Sequence, residues 1–147
     1  MMNIKMMLDP EDPMRKSLEE LGIRDDPDSQ YVLTLQGSSV NYIAGKREDQ
    51  QFYIDVKEII YIDSLGHDVM IHTSDGIYNS GDRLKTLEQI LPADKFLRVS
   101  NSAIVNLKKI KRIESSIMQK FILHMTNGSK VDVTRSYYYI FRDKIGI

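Results

Sequence analysis

The pattern that most constrains this chain lies at residues 121–133. Phe121, Leu123 and Met125 alternate with polar residues, Asn127-Gly128 interrupts, and Val131 and Val133 resume the alternation. A period of two puts one set of side chains on one face of an extended strand, so the segment predicts a β-hairpin with one buried face. Asn-Gly suits a type I′ turn, which needs positive φ at both central residues. A ribbon with one apolar face has to be covered by another layer, so more β structure is expected elsewhere.

The same texture recurs upstream. Phe52, Ile54 and Val56 alternate with polar residues, and Ile59–Ile62 is an apolar run. A turn containing Gly66 leads to Val69–Thr73, and Asp75-Gly76 is a hairpin signal before Ile77–Asn79. Phe96–Val99 and Lys109–Glu114 predict strands on either side of an irregular piece, Ser100–Leu107. Helices are few and short. Leu84, Leu87 and Leu91 share a helical face that Pro92 ends. Thr134 is placed to cap a last helix with Tyr137, Phe141 and Ile145 on its inner face, which leaves Tyr138 and Tyr139 for the surface.

Near the start, Asn3–Leu8 reads as a strand. Asp12-Pro13 reads as N-cap and first helical residue, followed by Met14, Leu18 and Leu21 on one face and closed by Gly22. Arg24–Ser29 reads as an acidic linker and Tyr31–Leu35 as a further strand. The expected fold class is mostly β with two or three short helices. An acidic N-terminal extension over residues 1–44 precedes a domain over residues 45–147, and no internal repeat is visible.

At 147 residues the chain is about one domain's worth, and 41% hydrophobic with 28% charged residues fits a globular rather than a disordered protein. Cysteine is absent, which excludes disulfides, Cys-based zinc sites and thiol nucleophiles. The opening Met1–Leu8 turns acidic too soon for a signal peptide, and no apolar run reaches the ~18 residues of a membrane span, so a cytoplasmic location is expected. Net charge is −1 but unevenly spread. Residues 1–94 hold 9 Lys/Arg against 18 Asp/Glu, whereas residues 95–147 hold 11 against 3. Such asymmetry points to a polyanion-binding surface in the basic half, or to a salt-bridged contact with the acidic one.

Enzyme chemistry finds no support. No Gly-rich phosphate loop, GxSxG elbow or HExxH motif occurs. His67 and His72 are five apart on a turn and a strand and would face opposite ways, with no carboxylates at ligand spacing, so no metal site or other cofactor is expected. Tyr137-Tyr138-Tyr139 lacks the Arg and His partners of a tyrosine nucleophile.

The segment Lys95–Ile113 is the most informative. Lys95, Arg98, Lys108, Lys109, Lys111 and Arg112 surround a polar Ser100-Asn101-Ser102 and an apolar Ile104-Val105. Basic groups bind phosphates without sequence preference, and an exposed Asn can pair two-pronged with adenine. A solvated basic strand is the plainer alternative.

This segment resembles the signature of LytTR-type DNA-binding domains, a family of bacterial regulators. Asp55–Ser64 resembles the family's opening strands and Ser80–Glu88 its short helix. Asn127-Gly128 with Val131–Tyr138 and Phe141…Ile147 resembles its ending. The resemblance covers residues 45–147. It implies a β fold whose loops, rather than a recognition helix, enter successive major grooves of double-stranded DNA. Base-reading positions carry over to His67 in the turn after the opening strands, Asn101 in the Ser-Asn-Ser piece and Arg135 after the last strand. Arg matches guanine, Asn matches adenine, and His can donate to a guanine acceptor. Phosphate contacts are expected from Arg98, Ser102, Lys108, Lys109, Lys111 and Ser136.

The sequence departs from the family pattern in places. Asp63 stands where glutamate is usual, Asp68 puts a negative charge beside His67, and Ser100 replaces a common His or Arg. The acidic extension stands where many members carry a receiver domain. The chain thus resembles the stand-alone transcription regulators of the family, in which phosphorylation control cannot be assumed, and the resemblance implies a homodimer or paired protomers on direct repeats. Two other classes compete: a module that docks an acidic protein partner, and an RNA-binding β domain. The latter stacks bases on aromatics of an exposed sheet, whereas the aromatic residue of the hairpin, Phe121, points inward.

Overall fold

The structure is a computed structural model that describes residues 2–34 and 40–147. The chain forms two compact units, Met1–Ser39 and Val40–Ile147.

In the first unit, strands β1 (Met2–Met7), β2 (Ile23–Asp25) and β3 (Val32–Thr34) make a parallel sheet in the order β2-β1-β3, with helix α1 (Pro13–Glu20) between β1 and β2. Asp12 caps α1 by accepting a hydrogen bond from the Met14 N–H at 2.9 Å, and Pro13 opens the helix, where its missing donor costs nothing. Gly22 leaves the helix at φ 86°. The expected linker Arg24–Ser29 instead begins inside β2. Its charge concealed a role in pairing: Asp25 accepts from the Met6 N–H at 3.0 Å and from Arg15 Nη1 at 2.8 Å. Those two bonds, the Met6 amide foremost, hold the Asp25 carboxyl below its ordinary range. Of the expected strand Tyr31–Leu35, Val32–Thr34 form β3, Tyr31 precedes it, and Leu35 lies outside the described residues.

The second unit runs β4 (Tyr42–Arg47), β5 (Gln50–Asp55), β6 (Ile59–Leu65), β7 (Asp68–Thr73), β8 (Gly76–Ser80), α2 (Leu84–Ile90), β9 (Phe96–Ser100), β10 (Ala103–Asn106), β11 (Ile110–Ser116), β12 (Lys120–Met125), β13 (Lys130–Val133) and α3 (Tyr138–Ile145). Short 3₁₀ turns at Val56–Glu58, Leu107–Lys109 and Arg135–Tyr137 join some of them. One sheet has the order β5-β4-β8-β7-β6-β10-β9, and β11-β12-β13 form a second. The described residues are mostly β with three short α-helices. Among the described residues no helix is long and apolar enough to cross a membrane.

The alternating face of the β12–β13 hairpin does what its period demands. Phe121, Leu123, Met125, Val131 and Val133 are buried in one core with Tyr61, Val99, Ala103 and Val105 of the larger sheet. Phe141 of α3, fully buried, closes this core. Ile62, Ile71 and Ile104 stand in register on neighbouring strands with the opposite parity to Tyr61 and Val105. Helix α2, with Leu84, Leu87 and Ile90 buried, packs over β6, β9 and β10.

Four further expectations need correction. The piece Ser100–Leu107 is not irregular, because Ala103–Asn106 forms β10, buried at every residue. A strand covered on both faces loses its alternation and cannot be recognised by period. The hairpin turn is not type I′. Of Asn127 and Gly128 only Gly128 takes positive φ, 89°, in a longer connection closed by hydrogen bonds from the Gly128 N–H to Met125 O (3.0 Å) and from the Met125 N–H to Ser129 O (2.8 Å). Thr134 precedes a 3₁₀ turn and makes no side-chain cap. Tyr138 is not a surface residue but stacks on Phe121, ring centroids 4.7 Å apart.

Strand β4 straddles the border expected at residue 44. Only Ile43 presents a sizeable apolar side chain to the interior there. Gly45 replaces the next one because a Cβ would lie 2.5 Å from Ile54 Cδ1 and 3.0 Å from Tyr78 Cβ. The β4–β5 turn is Glu48-Asp49, at φ 52° and 62°, without the glycine that would have announced it.

Candidate nucleic-acid interface

Three loops meet at one end of the larger sheet, tied to one another or to its strands by hydrogen bonds. His67 follows Gly66 (φ 64°) in the two-residue turn between β6 and β7, where Leu65 pairs with Asp68. Asn101 lies in the turn between β9 and β10. The Ser64 N–H donates to Ser102 O at 2.9 Å, joining the first loop to the second. Arg135 follows β13, and the Thr134 N–H donates to Val99 O at 3.0 Å, joining the third loop to β9. His67, Asn101, Arg135, Ser102 and Ser136 are all exposed.

The Asn101 turn is held on several sides. Arg98 donates from Nε to Ser100 O (2.8 Å), from Nη2 to Asn101 O (2.6 Å) and from Nη1 to Glu88 of α2 (2.8 Å). Ser100, buried, accepts from the Ser102 N–H at 3.1 Å. Tyr137 donates its hydroxyl proton to Asn101 Oδ1 at 3.3 Å, leaving the Asn101 amide nitrogen to point elsewhere. The guanidinium of Arg98 is therefore committed to shaping this turn, with its side chain only 16% exposed.

A cleft of about 430 Å³ opens between the first two loops and α2, lined by His67, Arg98 and Asn101 together with Arg83 and Lys85. Arg83 and Lys85 were missed as site residues. Their signal was present: with Leu84 and Leu87 facing the core, the helical period turns residues 83 and 85 outward beside the Ser100–Ser102 turn. Asp68 is exposed next to His67 and offsets part of this positive potential.

Lys108, Lys109 and Lys111 are not brought to this cluster. They stand at the other end of β10, where the Leu107 N–H donates to Lys95 O and the Thr126 N–H to Lys109 O. Four residues of extended strand separate the two ends, roughly 13 Å at 3.3 Å per residue. His72 is buried away from His67, stacked on Tyr61 at 4.0 Å with Nε2 2.8 Å from Asp63 Oδ1, so these two histidines serve different ends.

Comparison with known proteins decides the family. The model of the LytTr DNA-binding domain matches residues 49–146. The chain belongs to the LytTR family. It is similar to the sensory transduction protein LytT of Bacillus subtilis, 37% identical over 84 residues, 57% of this chain and 35% of that protein. LytT of Enterococcus faecalis is 33% identical over 100 residues, 67% of this chain and 41% of that protein. The matched stretches thus span well under half of these relatives. The solved LytTr DNA-binding domain of a methyl-accepting/DNA response regulator from Bacillus cereus superposes with a TM-score of 0.71 at 27% identity, covering 74% of this chain and all of that one. The LytTR fold accounts for the strands and short helices expected within residues 49–146.

Proposed function

We propose that this chain is a transcription regulator that binds a specific duplex DNA sequence with the loop cluster of its LytTR domain. The reading rests above all on the convergence of His67, Asn101 and Arg135 from three separate loops, linked by the backbone bonds Ser64–Ser102 and Thr134–Val99 and by the side-chain bond Tyr137–Asn101. In it, Arg135 grips guanine O6 and N7, Asn101 pairs with adenine, and His67 donates to a base acceptor, each from a loop entering the major groove. Ser102 and Ser136, with Arg83 and Lys85 beside them, contact phosphates and set the register. Arg98 acts chiefly by positioning Asn101. Lys108, Lys109 and Lys111 reach backbone further along the duplex or attract it at longer range. Two protomers bind in head-to-tail order on direct repeats, and mutating one repeat sharply weakens occupancy of both.

The test is a selection of bound sequences from a random duplex pool, followed by affinities for the selected and a scrambled site. Arg135→Ala lowers the ratio of specific to non-specific affinity by about 5- to 150-fold, since a two-pronged contact discriminates by ~1–3 kcal/mol. Thermal stability stays nearly unchanged, because the residue is exposed. An unchanged ratio would remove Arg135 from the reading surface. Affinity that ignores salt altogether would favour a protein-docking module instead.

A further inference from the structure

The β11–β12 hairpin ends in a tip of unusual chemistry. Ile117 is fully exposed and Met118 is 74% exposed, where loop tips ordinarily carry small polar residues. The tip is nonetheless held. Ser116 pairs with Lys120 across it, and the Ser116 Oγ accepts from the Met118 N–H at 3.3 Å. Gln119 takes φ 55° and donates from Nε2 to the Tyr139 hydroxyl of α3 at 3.1 Å. Two apolar side chains are thereby presented to the outside on a supported platform.

Strand register places this tip at the reading end of the molecule. Phe121 pairs with Ser115 on one side and with Val133 on the other, and Val133 lies two residues before Arg135. Two strand spacings, roughly 10 Å, separate β11 from β13. From a side chain near the middle of the major groove, about 12 Å wide, the groove edge is only about 6 Å away, so a step of that size passes the bordering phosphate strand toward the minor groove. Lys120 flanks the tip, and Arg142, loosely paired with Asp143 at 4.0 Å, lies over the Tyr139 ring that anchors Gln119. Cations around an apolar point complement a polyanion. A second copy of the chain fits less well, because the cleft beside α2 is walled by the charged and polar side chains of Arg83, Lys85, Arg98, His67 and Asn101 and does not match an apolar tip.

We infer that Ile117 and Met118 form a wedge that enters the minor groove beside the base-reading loops, opens one base step and bends the duplex. Apolar side chains of this size are used in that way because they replace base-stacking contacts without needing hydrogen bonds. The inference rests on the DNA-binding reading above and adds a contact to it.

The test uses the full chain and a selected site carrying fluorophores at its two ends. Wild type shortens the end-to-end distance on binding. Ile117→Ser with Met118→Gln abolishes most of that shortening, lowers affinity about tenfold and leaves the melting temperature unchanged. A mismatched pair at the opened step restores the variant's affinity, since that step no longer has to be unstacked. Equal bending by wild type and variant, or no bending by either, overturns the wedge while base reading stands. Loss of the second protomer with bending intact makes the tip a protein interface and overturns it too. A wild-type chain that binds no duplex overturns the DNA reading and the wedge together.

Discussion

Two asparagines mark the two ends of one strand. Asn101 sits just before β10, exposed, with its carboxamide touching only the Tyr137 hydroxyl among the described groups. Asn106 ends the strand, 3% exposed, and donates from Nδ2 to Ile59 O at 2.8 Å while accepting from the Lys108 N–H at 3.0 Å. One residue type thus serves opposite purposes five positions apart. At the buried end the amide is consumed by the fold. At the open end the fold supplies a frame and leaves the amide's donors for something else. A basic neighbourhood, richer around Asn106, is a poor guide to which is which.

The largest expected effect lies at the buried end. Asn106→Ala strands the Ile59 carbonyl and the Lys108 amide, and an unsatisfied buried group costs ~1–3 kcal/mol, so chemical denaturation should show a loss of about 2–3 kcal/mol with the specificity ratio intact. Asn101→Ala should do the reverse: stability holds, and the ratio of specific to non-specific affinity falls by about 5- to 50-fold at one base position of the site. If both variants lost stability equally, the contrast would collapse. Arg98→Met sharpens it further. Removing three hydrogen bonds while keeping the stem should loosen the Asn101 turn and lower the specificity ratio about three- to tenfold, with a reduced salt slope not expected. An altered slope with an unaltered ratio would restore Arg98 to the phosphates. The smallest effect belongs to Lys108→Ala with Lys109→Ala and Lys111→Ala. Each direct phosphate contact contributes about −0.9 to the slope of log affinity against log salt, so the triple variant should change it by less than three such contacts would.

Much of the LytTR domain was legible from residues alone where one face is wet. The β12–β13 hairpin and α2 each leave a period in the sequence because solvent writes it on their outer faces. Strand β10 leaves none, being covered on both sides, and β4 leaves none because Gly45 yields its place to Ile54 and Tyr78. Loop residues His67, Asn101 and Arg135 could be named only through resemblance to a family, since no rule of spacing brings three turns together. Their proximity is set by long-range pairing such as Ser64 with Ser102, invisible in local sequence. Arg98 shows the converse difficulty. Its charge suggests a phosphate contact, and its hydrogen bonds to Ser100, Asn101 and Glu88, which local sequence does not announce, give it a structural role as well.

The bonds that stitch the three loops together also bear on how such a reader can change its target. Because Ser64 holds Ser102, Val99 holds Thr134 and Tyr137 holds Asn101, a shift of one loop drags on the other two. An altered base at one operator position cannot be met by remodelling a single turn. On the proposed reading, side chains at the tips can be exchanged singly, but the spacing between the contacted bases is inherited as a block. Operators recognised by descendants of this chain should therefore diverge in letters while keeping the same intervals between them.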